Sequence, residues 1–144
     1  MDHRNNTEVI REILRAVEKR DARIVDLWQP DVEFHWPPSL PYGRHPGGLG
    51  RDGTTWEQTW DPLQPTAAER SLNPRIVAAG QDEVVVLWRQ RGLSPAGERF
   101  DGEVLGLYRL RDGKLARAQM FYFDCAAVGR FLERAAEQAG ARGR

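Results

Sequence analysis

Residues 108–132, YRLRDGKLARAQMFYFDCAAVGRFL, change their hydrophobic period twice. Tyr108 and Leu110 alternate with Arg109 and Arg111, the period-two pattern of a strand with one buried face. Asp112-Gly113 is a hairpin turn signal, since both residue types tolerate positive φ. The alternation resumes beyond it, with Ala118, Met120 and Tyr122 on one side and Arg117 and Gln119 on the other. The run CAAVGRFLERAAEQAG then reads as a helix that Gly140 ends. A late hairpin therefore runs straight into a closing helix, and Asp124 stands at the junction. Two roles compete for it: cap of that helix, or the one charged group at the mouth of an apolar pocket.

Upstream of the hairpin, ERSLNPRIVAAG, DEVVVLWRQRG and RFDGEVLGLYRLRDG are strand candidates. Turn signals at Gly80-Gln81-Asp82 and Leu93-Ser94-Pro95 join them. The N-terminal NNTEVIREILRAVEKRD is an amphipathic helix with Val9, Ile10, Ile13, Leu14 and Val17 at helical spacing, and Asn5 with Glu8 forms a capping box. Asp21 caps a short second helix, ARIVDLW, which Pro30 stops. DVEFHW alternates as a strand with Val32, Phe34 and Trp36 on one face. Residues 37–53 hold four prolines and five glycines, marking a long functional or mobile loop, and TTWEQTW follows as a short helix with Trp56 and Trp60 on one side.

Composition narrows the function. Twenty-one basic and twenty-one acidic side chains cancel across 144 residues, so the excess of cations that grips nucleic acid is missing. No apolar run approaches a membrane span, and MDHRNNTEVI is too polar for a signal peptide, so a cytoplasmic protein is expected. Cys125 stands alone, which excludes an internal disulfide, and His3, His35 and His45 lack ligand spacing. Neither a metal nor a cofactor is expected.

Helices first, then a meander of strands, then a closing helix indicate an α+β domain. That order resembles the nuclear-transport-factor-2-like fold. Within that superfamily LWQPDVEFHWP (27–37), YRLRDGKL (108–115) and FYFDCAAV (121–128) are most similar to SnoaL-like polyketide cyclases. The resemblance implies a single domain over residues 1–144, with 1–5 and 141–144 as flexible ends. Its core would be a cone-shaped, strongly bent mixed or antiparallel sheet wrapped by the N-terminal helices and the C-terminal helix. Relatives are often homodimers through the convex sheet face, where Val85, Leu87, Leu105 and Leu107 would lie.

The ketosteroid isomerases, similar in fold, use an Asp base with a Tyr and a protonated Asp as oxyanion donors. Matching helix, first strand and hairpin places the Tyr near Ile13, the base at Trp36 and the acidic donor at Gly106, so that apparatus is missing. The same matching turns Val104, Gly106, Tyr108, Leu110, Ala118, Met120, Tyr122 and Asp124 toward the pocket. In the strand before, Trp88 and Gln90 point inward while Arg89 and Arg91 point away. Phe34, Trp36, Trp88, Gly106 and Met120 would contact substrate, with Trp56, Trp60 and Tyr42 covering the opening. The plain alternative is that these rings fill the cone. Asp101 and Glu103 fall on the outer face unless a bulge at Gly102 reverses them. Epoxide-opening relatives need two carboxylates or an acid–base set, and only Asp124 is well placed.

The expectation is a cofactor-independent cyclase of a small hydrophobic natural-product intermediate. Closure would be aldol-like, with Asp124 as base and Tyr108 or Tyr122 as donor, or a cycloaddition in which Gln90 polarises a carbonyl. A non-catalytic carrier of hydrophobic molecules and an isomerase or epoxide-hydrolase relative are the alternatives.

Overall fold

The computed structural model describes residues 5–43, 48, 50 and 63–142. Helix α1 (Asn6–Lys19) buries Val9, Ile10, Ile13 and Leu14 on one side. The Asn5 side chain accepts from the Thr7 N–H at 3.1 Å, and Arg20, at φ 49°, ends the helix in the left-handed region. Asp21 caps a 3-10 helix (Ala22–Leu27) by accepting from the Arg23 N–H at 3.0 Å. Hydrogen bonds from the Arg23 side chain and backbone hold this exposed carboxyl at a pKa of about 2.

Trp28 corrects the sequence reading: it opens strand β1 (Trp28–His35) and does not end the short helix. Pro30 is tolerated inside the strand because β1 lies at the edge of the sheet and is bulged between Trp28 and Glu33. Strands β2 (Arg75–Ala79), β3 (Glu83–Leu93), β4 (Arg99–Arg111) and β5 (Lys114–Tyr122) complete a five-stranded sheet of order β1-β5-β4-β3-β2. β1 runs parallel to β5, and the other neighbours are antiparallel. The β4–β5 turn has Asp112 at φ 52° and Gly113 at φ 74°, the twin positive angles that match sheet twist.

Alternation is strict where it matters. Val84, Val86, Trp88, Gln90 and Gly92 of β3 are buried, as are Val104, Gly106, Tyr108 and Leu110 of β4. This inner face packs with Ile10, Ile13 and Leu14 of α1 into one core. The outer face is partly exposed, with Leu105 at 36% and Phe121 at 46%.

Helix α2 (Cys125–Arg142) does not stop at Gly140 but continues through Ala141 and Arg142, which the sequence reading treats as a loose end. Gly140 lies in open space without a positive φ, so no left-handed cap forms there. Phe131 docks the helix over Gly92, where a Cβ would lie 2.7 Å from its ring, and meets Phe100 at 5.4 Å between centroids. Arg134 grips Glu98 at 2.5–3.0 Å. Among the described residues no helix is long and apolar enough to cross a membrane.

Candidate functional site

Rings from β1 and from the 3-10 helix Pro41–Gly43 pack one against the next. Phe34 meets Trp28 edge-on at 4.9 Å and stacks with Trp36 at 5.9 Å. Trp36 meets Tyr42 edge-on at 5.8 Å. Tyr42 is buried, and its hydroxyl lies 2.7 Å from that of Tyr122, one donating to the other. A chain of rings thus links the base of the cone to the end of β5.

Two spaces lie beside this chain. The inner one, about 60 Å³, is walled by Trp28, Phe34, Trp36, Trp88, Tyr108 and Met120, with Gln64 at its edge. Among the described residues no carboxylate, imidazole or cation lines it. That volume suits a few waters, so the wide hollow expected from sequence is not what these walls enclose. The rings pack on one another and take up the room. The indole N–H groups of Trp28 and Trp88 are buried, and among the described residues neither meets a partner in hydrogen-bonding geometry.

The second space is about 430 Å³ and lies where β3, β4 and β5 approach α2. Gln90, Val104 and Tyr122 form its inner wall, Phe100 and Phe123 its flanks, and Arg89, Asp101, Glu103 and Asp124 its charged margin. A volume of a few hundred cubic ångströms is the usual size of a small-molecule site. Gln90 is fully buried, and among the described residues neither its Oε1 nor its Nε2 has a hydrogen-bond partner. Its amide sits near enough to the Tyr42 and Tyr122 oxygens to favour their phenolates slightly, but meets neither in bonding geometry.

Burial dominates the acidity of all three tyrosines. It pushes Tyr42 and Tyr108 well up from the ordinary 10.0, against opposing contacts from Tyr122 and Trp88 respectively. Tyr122 rises for the same reason, and its bond with Tyr42 adds to the rise. These hydroxyls are donors, not bases. Tyr108 points deeper, its oxygen 3.9 Å from the Met120 sulfur.

Asp124 takes the cap role, one of the two that the sequence leaves open, and stands at the margin of the larger space. It is exposed, and its Oδ1 accepts from the Ala127 N–H at 3.0 Å, the bond of a helix N-cap. Strand β5 ends at Tyr122, so the alternation that would turn position 124 inward has already stopped. Asp101 and Glu103 lie outward as expected and pair with Arg89 at 2.8 Å and 3.3 Å. His35 pairs with Glu33 at 3.1 Å on the outer side of β1. Trp56, Trp60 and His45 lie outside the described residues.

The structure therefore brings together Gln90, Tyr42 and Tyr122 in one cluster and Phe34, Trp36, Trp88, Tyr108 and Met120 in another, with Gly106 beneath Tyr108. Sequence reasoning missed Trp28 and Gln64 in the inner wall and Phe100 and Phe123 beside the outer space. Trp28 was masked by its apparent place in a helix. Phe123, 87% exposed, follows the strand end directly, where parity no longer predicts direction.

A strongly bent sheet closed by an N-terminal helix, with an aromatic-lined inner face, defines a nuclear-transport-factor-2-like cone. Within that class, the chain belongs to the SnoaL-like domain family, whose sequence profile matches residues 10–118. Solved structures similar to it include TerC, co-crystallised with polyporic acid, at 24% identity and TM-score 0.70, covering 89% of this chain and 98% of that one. A nuclear-transport-factor-2-like protein of unknown function from Burkholderia pseudomallei is 23% identical with TM-score 0.68, covering 88% and 95%. IdmH of Streptomyces antibioticus, a candidate polyketide cyclase, is 22% identical with TM-score 0.61, covering 94% and 99%. At these identities the likeness is one of fold. No curated protein matches the chain in sequence.

Proposed function

We propose that the protein is a cofactor-independent cyclase of a small natural-product intermediate, of polyketide type, that works with neutral hydrogen-bond donors. The observation carrying this reading is Gln90: a fully buried amide, both polar atoms unpartnered, beside two protonated phenols and on the wall of a space of about 430 Å³. An unpaired buried polar group costs roughly 1–3 kcal/mol, a cost that a bound carbonyl would remove. Family membership and the candidate cyclases among the neighbours support the reaction class.

Gln90 and the Tyr42–Tyr122 pair would polarise a carbonyl while Phe100, Val104 and Phe123 hold the carbon chain folded. Holding two ends of one molecule in register supplies effective molarities of about 10⁵ M or more, and a donor on the developing oxyanion adds to it. Asp124, exposed and engaged as a cap, is poorly suited to the aldol version, in which it would be the base. Cycloaddition-type closure is therefore the preferred chemistry.

With a linear polyketide surrogate as substrate, Gln90→Leu should abolish acceleration of ring closure while raising thermal stability, because it removes two unpaired polar atoms. Asp124→Asn keeps a cap and should leave turnover within about twofold. Loss of turnover in Asp124→Asn would restore the aldol mechanism. If the indole fluorescence shifts on mixing but closure is no faster, the protein is a carrier of the same molecules. The apolar, base-free inner space is the feature that favours this second reading.

The outer sheet face, with Val85, Leu87, Leu105, Leu107 and Phe121 at least partly accessible, supports assembly as a homodimer. A monomer mass by light scattering at micromolar concentration would refute that.

A further inference from the structure

On the outer face of the sheet one arginine differs from its neighbours. Arg89, Arg91, Arg109 and Arg111 each hold a carboxylate of the chain, at 2.6–3.5 Å. Arg117 of β5 holds none among the described residues, and its Nε is closed off from solvent without an acceptor. The register explains why. Arg117 stands opposite Arg109 on one side and Glu33 on the other. Arg109 is turned to Glu83 at 3.3 Å, and Glu33 is turned to His35 at 3.1 Å, so the acid in register with Arg117 is engaged elsewhere. Like charges directly opposite one another weaken a sheet, and an anion between them would reverse that.

The pairing register breaks beside Arg117 on both sides of β5, between Trp28 and Glu33 against β1 and between Arg109 and Leu110 against β4. Irregularities of this kind re-aim side chains. A hollow of about 30 Å³ lies there, lined by Glu83, Leu107, Arg109, Arg117 and Gln119. It has room for about two water-sized oxygens, the footprint of one carboxylate group. A guanidinium presents Nε and a terminal nitrogen as a fork that matches those two oxygens. Arg117 is only half-buried, so its terminal nitrogens lead to the surface, and an anion meeting them lies beside Nε. Gln119 adds a neutral amide donor to the same hollow. Glu83 limits the charge that fits, because it repels a dianion more strongly than a monoanion.

We propose that the hollow at Arg117 is a binding site for a monovalent carboxylate, on the opposite face of the sheet from the two spaces beside the rings. The carboxylate belongs to a free organic acid or to a side chain of a second copy laid on this face. The recognising chemistry is the same in both cases: the Arg117 fork takes the two oxygens, Gln119 donates from the side, and Arg109 shares the charge while keeping Glu83. The site stands apart from Gln90 and does not depend on the cyclase reading.

In the nitrogen-15-labelled protein the Arg117 Nε–H resonance reports on the site directly. Sodium acetate at fixed ionic strength should shift it saturably, and the Gln119 side-chain amide with it, while sodium chloride at the same ionic strength moves neither. Inorganic phosphate, as the dianion, should bind more weakly than acetate. Glu83→Gln removes the opposing charge and should tighten acetate binding about two- to fivefold, the size expected for one like charge at a solvated surface. Arg117→Lys keeps the charge but loses the fork, and should weaken acetate binding about tenfold as read at Gln119. A shift that grows with protein concentration in the absence of acetate, and that acetate competes away, assigns the carboxylate to a second copy. Chloride or phosphate acting as strongly as acetate overturns the carboxylate assignment. An Nε–H that responds to neither acetate nor protein concentration overturns the site itself, and leaves the reading of Gln90 untouched.

Discussion

A methyl group on Gly106 would lie 2.5 Å from the Tyr108 hydroxyl oxygen and 2.6 Å from its ring carbons, because the ring folds back along its own strand over the glycine. Tyr108 is buried and cannot swing into solvent to escape the collision. Its oxygen is also held near the Met120 sulfur at 3.9 Å. Gly106→Ala should therefore destabilise the fold by about 1–3 kcal/mol, the range for an overpacked core, read as a lowered urea midpoint at unchanged slope. An unchanged midpoint would mean that the ring moves aside freely and that this wall of the inner space is soft. At the same scale Gln90 is the opposite case. The fold tolerates a buried, unpartnered amide there at a cost.

Elements were legible from sequence where one face of a regular pattern is buried along its whole length. The alternation of Val84, Val86, Trp88 and Gln90 against Arg89 and Arg91 predicts the inner face of β3, and the burial pattern follows it residue by residue. Asp112-Gly113 predicts the β4–β5 turn for an equally local reason, since few other pairs adopt φ 52° and 74°. Boundaries were less legible, because they depend on partners distant in sequence. Trp28 looks helical beside Ile24 and Val25, but β1 pairs it with Leu115, and an edge position with a bulge lets Pro30 follow. Gly140 looks like a helix stop, yet nothing near it requires a left-handed residue. The candidate site shows the same division. Parity placed Gln90, Met120 and Tyr122 on the inner face and stopped applying at Asp124, two residues further on, because the strand ended first and left it exposed at the margin of the larger space. The burial of Tyr42 had no sequence signal beyond its loop. The hydroxyl of Tyr122 and the ring of Trp36 help to hold it there.

Across the molecule, the inner face holds all three tyrosines of the chain, each with its hydroxyl enclosed although the Tyr122 ring is partly exposed. This ties global stability to alkaline pH. In the unfolded chain each phenol ionises near 10.0, whereas in the folded protein burial raises all three above that value. Below 10.0 both states carry the proton and stability is unaffected by these groups. Above 10.0 the unfolded state loses protons that the folded state keeps, so stability falls as pH rises. The fall is up to ~1.4 kcal/mol per pH unit for each phenol until its folded pKa is reached. With three phenols acting together, about 8 kcal/mol is lost over the first two pH units above 10.0, so the fold should give way in that interval if its stability lies in the lower half of the usual 5–15 kcal/mol. Tyrosinate absorbance and far-ultraviolet circular dichroism, followed in one alkaline titration, should then change together in a single cooperative step displaced above 10.0. Gradual tyrosinate absorbance centred near 10.0, with the circular dichroism still native, would show that the hydroxyls reach water. It would also show that Tyr42 and Tyr122 do not form the enclosed donor pair on which the cyclase reading relies.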